Sequence, residues 1–426
     1  MLSPLNPSSP NSPTKLSKPS NLTSGTVSVI IPCYNGASTI GDALNSLILQ
    51  TYKNWEAIVV DDGSVDGSLN IIKQFAARDS RIRFIHISNQ GVSAARNVGI
   101  GESKGEFLNF LDADDLLLPE MLGKMVRKLG KHGECGAAVC GWVVTDEKLK
   151  HWNSRHFYLH HGKLFQEIVR LNTFQPNTLL LRKNILTDTG LFDHSLAPCA
   201  DWDMWIRIAR KGTRFISVPE VLAVYRMVTQ SMIRHIQRPY NEGMKVIDRG
   251  FSRDDRVKNP DPEFAQGDDP FWKRKVQFHW VIRCCAFAVA AGETEQALQF
   301  VEKAVKDCDG DFTPERFAGF MEWPLWFACN VPRGEWDALI PKLGFVLMNF
   351  LSDVELRLSR PGFALDFMRI FLGGHKNECG QELLRLLFGR MREKFFSWIP
   401  TRQERLERSR KRFVDLIRKS NAILKP

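Results

Sequence analysis

The stretch Gly105–Glu120, GEFLNFLDADDLLLPE, joins an apolar run directly to three carboxylates, Asp112, Asp114 and Asp115. Gly105 to Phe110 reads as a short strand buried on both faces, and a strand interior has no place for unpaired charge. Two readings follow. Either the strand ends at a polar turn that caps a helix starting at Pro119, a residue suited to a first helical position, or the carboxylates hold a cation that offsets their repulsion.

Working outward, the same alternation recurs. VSVIIP (27–32) is a β-branched run, and the segment after it turns helical, with Thr39 placed to cap and Ile40, Leu44, Leu47 and Ile48 on one face. WEAIVVDDGS (55–64) is a second strand ending in Asp61 and Asp62, LNIIKQFAA a second helix, RIRFIHIS a third strand and GVSAARNVGIGES a short helix. After the acidic cluster come a helix with Leu122, Met125, Val126 and Leu129 on one side, and a strand, GAAVCGWVVT. NTLLLRK and VPEVLAVYR read as extended and DWDMWIRIARKG as a helix. Strands alternating with helices imply an α/β, Rossmann-like, mainly parallel sheet with flanking helices. In such sheets ligands bind beyond the carboxyl ends of the strands, where both acidic clusters lie.

The 426 residues suffice for two or three domains. Residues 1–25, rich in Ser, Pro and Asn and without the apolar centre of a signal peptide, are expected to be a disordered leader. The α/β domain is expected over 26–233, an exposed linker over 234–270, where SRDDRVKNPDPEF mixes charges, and a mostly α-helical region with a basic tail over 271–426. CCAFAVAAGETEQALQFVEKAV and DFMRIFLGGHKNECGQELLRLLF each read as a helix, a glycine turn and a helix. No run approaches a membrane span, so the expected location is the cytoplasm. Nine cysteines, an odd number without a CxxC pair, argue for reduced thiols rather than a disulfide framework or zinc site. The net charge of +10 gathers at the end, where residues 381–426 hold 13 Lys and Arg against 5 Asp and Glu. That tail reads as a solvated amphipathic helix, a peripheral membrane contact or, with no fold motif to support it, a nucleic-acid patch.

DxD spacing alone decides nothing, since it occurs at Asp112/Asp114, Asp201/Asp203, Asp307/Asp309 and Asp309/Asp311. The last two belong to KDCDGDFTPE, where Glu315 falls too early to complete a calcium loop, and a solvated turn is expected. Asp112 and Asp114 stand apart because an apolar strand delivers them to the binding edge beside Asp61 and Asp62. Carboxylates gathered there suit Mg2+ or Mn2+, hard cations that also coordinate phosphate.

The ordered blocks VSVIIPCYNGASTIGDALNSLILQTYKNWEAIVVDDGSVDGS, GVSAARNVGI and GEFLNFLDADD resemble the family 2 glycosyltransferases of the GT-A fold, over roughly Val27 to Arg226. The resemblance implies transfer of a sugar, with inversion, from a UDP- or GDP-sugar donor to an acceptor hydroxyl, usually with a divalent metal, in cell-surface or exopolysaccharide synthesis. It implies that Pro32 and Tyr34 border the nucleotide base, Asp62 binds the base edge or ribose, and Arg96 lies near the nucleotide. By the same carry-over Asp112 lies near ribose or metal, Asp114 is the main metal ligand with Asp115 as an alternative, and Arg226 reaches the diphosphate. GLFDHSLAPCADWDMWIRIARKG resembles the segment supplying the catalytic base, with Asp201 at that position and Asp203 pointing elsewhere on its helix. The acceptor would be a saccharide or a lipid-linked molecule, and no nucleic-acid partner is expected.

Each residue also has a plain reading: Pro32 ends a strand, Asp61 or Asp62 starts a turn with Gly63, and Arg96 forms a surface ion pair. Two positions depart from the family pattern, Ala200 where Glu is common and Val228 where His is frequent. They motivate an alternative, a donor-binding or scaffold protein impaired in turnover. A nucleotidyltransferase ranks last, because IPCYNGAST lacks the basic residues of a phosphate-gripping loop.

Overall fold

The computed structural model describes residues 23–149, 152–156, 161–172, 174–227, 236–307, 312–318, 321, 325, 336–360 and 362–373. The basic tail, most of the expected leader and the acidic turn over 308–311 lie outside them.

The chain opens with β1 (Thr23–Cys33), α1 (Ile40–Ile48), β2 (Trp55–Asp62), α2 (Ser68–Arg78), β3 (Ile82–Ile87), α3 (Val92–Glu102) and β4 (Gly105–Phe110). β1 pairs in parallel with β2 and β4, and β2 with β3, giving the order β3-β2-β1-β4. The direction of strand addition reverses between β1 and β4, and a crevice opens at such a switch point. β4 has five buried or nearly buried residues in six because α3 and later helices cover it, which is why it reads as a continuous apolar run.

Beyond β4 come β5 (Leu116–Leu117), α4 (Met121–Lys131), β6 (Ala137–Thr145), β7 (Trp152–His156), β8 (His161–Lys163), α5 (Phe165–Arg170), β9 (Leu179–Arg182), α6 (Leu186–Thr189), α7 (Ala200–Arg210) and β10 (Arg214–Arg226). They extend the sheet to β3-β2-β1-β4-β9-β6-β10-β5, with β7 on β6 and β8 on β10. β9 is antiparallel to both β4 and β6, and β10 is parallel to β6. β1, β2, β3, β4, β6 and β10 therefore point the same way. Their carboxyl ends, including Asp61–Asp62, the Asp112–Asp115 turn and Arg226, share one edge.

The segment expected as a linker contains α8 (Gln237–Gly250), followed by α9 (Pro270–Ala291), α10 (Thr294–Asp307), α11 (Trp336–Arg357) and α12 (Phe363–Gly373). α8 is amphipathic, burying Tyr240, Gly243, Val246 and Ile247. Pro239 does not break it, because it stands in the first turn, where its missing N–H is no loss. Nor does the core stop near Ile233. One cluster packs Ile30, Phe110, Phe165, Trp202, Trp205 and Phe215 together with Val246, Ile247, Phe251, Phe264 and Val276. A second runs from Ile236 and Tyr240 through α9 to Phe371, so α8 and α9 belong to both. The six cysteines among the described residues are free and buried. No helix among those residues is long and apolar enough to cross a membrane.

Candidate active site

At the end of β2, two adjacent carboxylates are used differently. Asp62 accepts hydrogen bonds from the Gln90 and Gly91 amides, both at 2.8 Å, and so shapes the approach to α3. Gly91, at φ +89°, takes a left-handed conformation that favours glycine. Asp61, fully buried, meets Nδ1 of His86 at 2.6 Å through one oxygen, while its Oδ1 has no partner among the described residues. Sequence reading singled out Asp62, but Asp61 is the one left with an open acceptor. Pro32 is buried near the end of β1, and Tyr34 just beyond it is 54% exposed.

α3 brings Arg96 against the acidic turn. Its Nη2 donates to Asp112 Oδ1 at 2.7 Å, its guanidinium lies over the Phe192 ring at 5.2 Å, and its Nε is buried without a partner among the described residues. Arg96 is 4% exposed, so this is no surface pair. Its charge is held inside the fold where it acts on both Asp112 and Asp201.

In the acidic turn, the Asp115 amide donates to the Asp112 carbonyl at 3.0 Å. Asp115 is buried, accepts the Arg226 amide on Oδ1 at 2.9 Å, and leaves Oδ2 buried and without a partner among the described residues. Desolvation, then the neighbouring Asp114 and Asp112, push its carboxyl well above the usual range. Asp114 is pushed up to about 7, by desolvation first and Asp112 second, with Arg226 and Arg96 opposing. Arg226 itself, at the end of β10, donates from Nη2 to Asp42 of α1 at 2.8 Å, and its buried Nε has no partner among the described residues.

Acids that burial and mutual repulsion hinder from ionising together, with an orphaned buried oxygen among them, form a hard-oxygen donor set that a divalent cation suits. Among the described residues, no group of three or more His, Cys, Asp or Glu side chains is arranged to hold a metal by itself.

Asp201 stands in the first turn of α7. Trp202 N donates to its Oδ1 at 2.8 Å and Asn172 Nδ2 to its Oδ2 at 3.4 Å. Its carboxyl is raised by desolvation, with Arg96 lowering and Asp112 raising it, so Asp201 lies within electrostatic reach of the acidic turn. Ala200 is fully buried against the core.

Asp203, two residues on, belongs to another structure. It is 2% exposed and accepts from Arg207 Nε at 3.0 Å, Arg249 Nη1 at 2.9 Å and Arg256 Nη2 at 2.9 Å. Arg207 also donates to the carbonyls of Thr189 and Leu191. The cluster ties α7 to α8 and to the 252–264 loop, which gives the charged SRDDR segment a structural task.

A family model for glycosyl transferase family 2 matches residues 28–194. An uncharacterized glycosyltransferase of Haemophilus influenzae is 30% identical over 239 residues, 52% of this chain and 72% of that protein. One of Rickettsia typhi is 33% identical over 198 residues, 45% of this chain and 60% of that protein. The chain belongs to glycosyl transferase family 2. In structure it resembles Staphylococcus aureus TarS 1–349, solved in complex with UDP-GlcNAc, at a TM-score of 0.51 and 18% identity, covering 78% of this chain and 92% of that one. The fold is thus a GT-A-like α/β sheet followed by a helical region. Asp201 and Arg226 lie beyond residue 194, where the family match ends.

Proposed function

We propose that this protein transfers a sugar from a nucleoside diphosphate donor, a UDP- or GDP-sugar, to an acceptor hydroxyl with inversion at the anomeric carbon, in assembly of a cell-surface or extracellular glycan. The observation that carries the reading is the meeting of three elements at one sheet edge. α3 supplies Arg96, the β4–β5 turn supplies Asp112, and α7 supplies Asp201, each acting electrostatically on the others.

Asp201 is the base. Inversion requires one carboxylate to take the acceptor proton as the hydroxyl oxygen attacks the face opposite the departing nucleotide. Burial raises the basicity of Asp201, the direction a proton acceptor needs, and Arg96 opposes the rise. Asn172 and the Trp202 amide hold the carboxylate in place.

The donor occupies the switch point between β1 and β4. Tyr34 and Pro32 border the base, Asp61 and Asp62 stand at its polar edge, and Arg226 faces the diphosphate, exchanging Asp42 for phosphate oxygens. Asp114, helped by Asp112 or Asp115, would hold Mn2+ or Mg2+ only together with oxygens of the donor diphosphate, since these carboxylates do not form a complete site by themselves; the ion when bound would neutralise charge on the departing diphosphate. All the residues given a role here lie within 26–233.

The test pairs binding with turnover. A cognate UDP- or GDP-sugar with manganese should raise the melting temperature of the wild type, and Asp114→Ala should lose that rise. Asp201→Asn should keep the rise and lose about 10²- to 10⁴-fold in kcat. Full turnover by Asp201→Asn would remove the mechanism.

A further inference from the structure

Asp201 follows directly on residues 191–199, a segment that belongs to no helix or strand. Little in the segment itself fixes where α7 starts. Its N-cap residue, Cys199, makes no side-chain cap, and Ala200 beside the base has no polar group on its side chain. The first amides of a helix have no partner within it, so something outside must hold this end.

Two helices do so. From α3, Ser93 Oγ donates to the Leu196 carbonyl at 2.7 Å, and Asn97 exchanges two hydrogen bonds of 2.9 Å with the backbone of Phe192. From α8, Glu242, Lys245 and Arg249 stand at i, i+3 and i+7, one face of the helix. Arg249 pairs with Asp193 at 2.8 Å, Lys245 donates to Ser195 Oγ at 2.8 Å, and Glu242 accepts the Ala197 and Cys199 amides on a single oxygen, Oε2, at 2.9 and 3.3 Å. Cys199 Sγ adds a contact of 3.9 Å to the Pro239 carbonyl, also on α8. The helix therefore lies antiparallel to the segment and grips it point by point up to the start of α7. Glu242 is 7% exposed, and its other oxygen pairs with Arg238 at 2.7 Å. A buried carboxylate is costly unless its acceptors are filled, so a shift of the segment would strand this charge. Burial pushes the Cys199 thiol up, with Asp201 next and Glu242 after it, which puts both carboxylates within electrostatic reach of one residue.

We propose that Glu242 is a positioning residue: through the Ala197 and Cys199 amides it sets where α7 begins, and with it the place of the Asp201 carboxylate relative to the acceptor hydroxyl. α3, which holds the other side of the segment, also carries Arg96 to Asp112, so the base and the acidic turn are placed from a common helix. The inference rests on Asp201 being the base, and it adds the element that keeps the base in register. Glu242, both amides and Asp201 all lie beyond residue 194, where the family match ends.

The experiment uses the full chain and reads turnover as release of UDP or GDP from UDP- and GDP-sugars with manganese, below the melting transition of each variant. Glu242→Ala should lower kcat by about 10- to 10²-fold, the scale that a misplacement of about 1 Å costs, with the donor KM and the donor-induced rise in melting temperature as in the wild type. Glu242→Gln keeps an oxygen within reach of both amides and should recover most of the rate. Glu242→Asp keeps the charge but draws it back by one methylene; it should be slow like Glu242→Ala, and it decides the matter if the alanine variant does not melt cooperatively. Amide hydrogen exchange over residues 197–203 gives a reading free of turnover, and it should quicken in the alanine and aspartate variants but not in Glu242→Gln. An unchanged kcat in the alanine and aspartate variants, a raised donor KM with kcat intact, a Glu242→Gln as slow as Glu242→Ala, or unchanged exchange over 197–203 would each overturn the assignment. A wild type that releases no nucleotide from any donor, with exchange still quickened by Glu242→Ala, would remove the transferase reading while upholding the grip on α7, so the two failures are distinct.

Discussion

The residue that ties the acidic turn to the sheet is Asp115. Sequence offered it only as an alternative metal ligand, yet one of its oxygens already serves as acceptor for the Arg226 amide. Asp112, Asp114 and Asp201 were legible because spacing and flanking strand or helix pattern lie in the local chain. Asp61 with His86, Asp42 with Arg226 and Asn172 with Asp201 were not, since these partners stand 25, 184 and 29 residues apart. Asp203, expected to point away from the base position, is tied into a cluster with Arg207, Arg249 and Arg256. Asp203→Ala would leave Arg207 buried without its carboxylate, and such a loss costs about 3–5 kcal/mol. Urea unfolding should show it as a lower midpoint with unchanged slope. His279 gives a pH signature, because burial, and then Arg283, lower its pKa from 6.5 to about 4. The folded state therefore favours the neutral ring. Its contribution is present above pH 6.5 and is lost as pH falls toward 4, with an upper bound of about 3 kcal/mol. Melting temperatures of wild type and His279→Gln, compared across that window, should converge at the acid end.

Among elements, the alternation of strand and helix patterns up to β4 carried the reading, since each run is long enough to show its period. β9 escaped direction assignment because four residues carry no orientation signal, and its antiparallel pairing is set by the strands on either side. α8 escaped because its buried face is broken by charge: Glu242 is buried, accepts from the Ala197 and Cys199 amides at 2.9 and 3.3 Å, and pairs with Arg238 at 2.7 Å. A helix that spends polar residues on anchoring its neighbour resembles a linker when only apolar periodicity is scored. The packing of α8 against α9 is tested by Gly243→Ala. The added methyl meets the Trp280 ring, and overpacking of this kind costs about 1–3 kcal/mol. The change should appear as a lower melting temperature together with an altered near-ultraviolet circular dichroism signal from the displaced indole.

For the molecule as a whole, the boundary near Ile233 marks a change of composition but no gap in the core. A chain ended after Ile233 would strip Val246, Ile247, Phe251, Phe264 and Val276 from the cluster around Phe165 and Trp205. At about 1.5–3 kcal/mol for each buried side chain of this size, the loss rivals the entire 5–15 kcal/mol that stabilises an ordinary domain. Such a truncation should show no cooperative thermal transition, whereas one ended after α9, which keeps those residues, should retain one.

The same long-range construction has a consequence in time. The Arg226 amide that Asp115 accepts belongs to a residue 111 positions later, and β5 finds its strand partner only at Ala223 and Val224. During synthesis the three aspartates emerge well before anything that can order them, and pairings this distant form late because the loop must close before any contact rewards it. At elongation rates of about 5–20 residues per second, the acidic turn waits several seconds without its partner strand. Nascent chains thus pass through an interval in which the Asp112–Asp115 turn lacks both the Arg226 amide and the strand that order it, and under the proposed function retention of nucleotide would mark a chain that has finished folding its sheet.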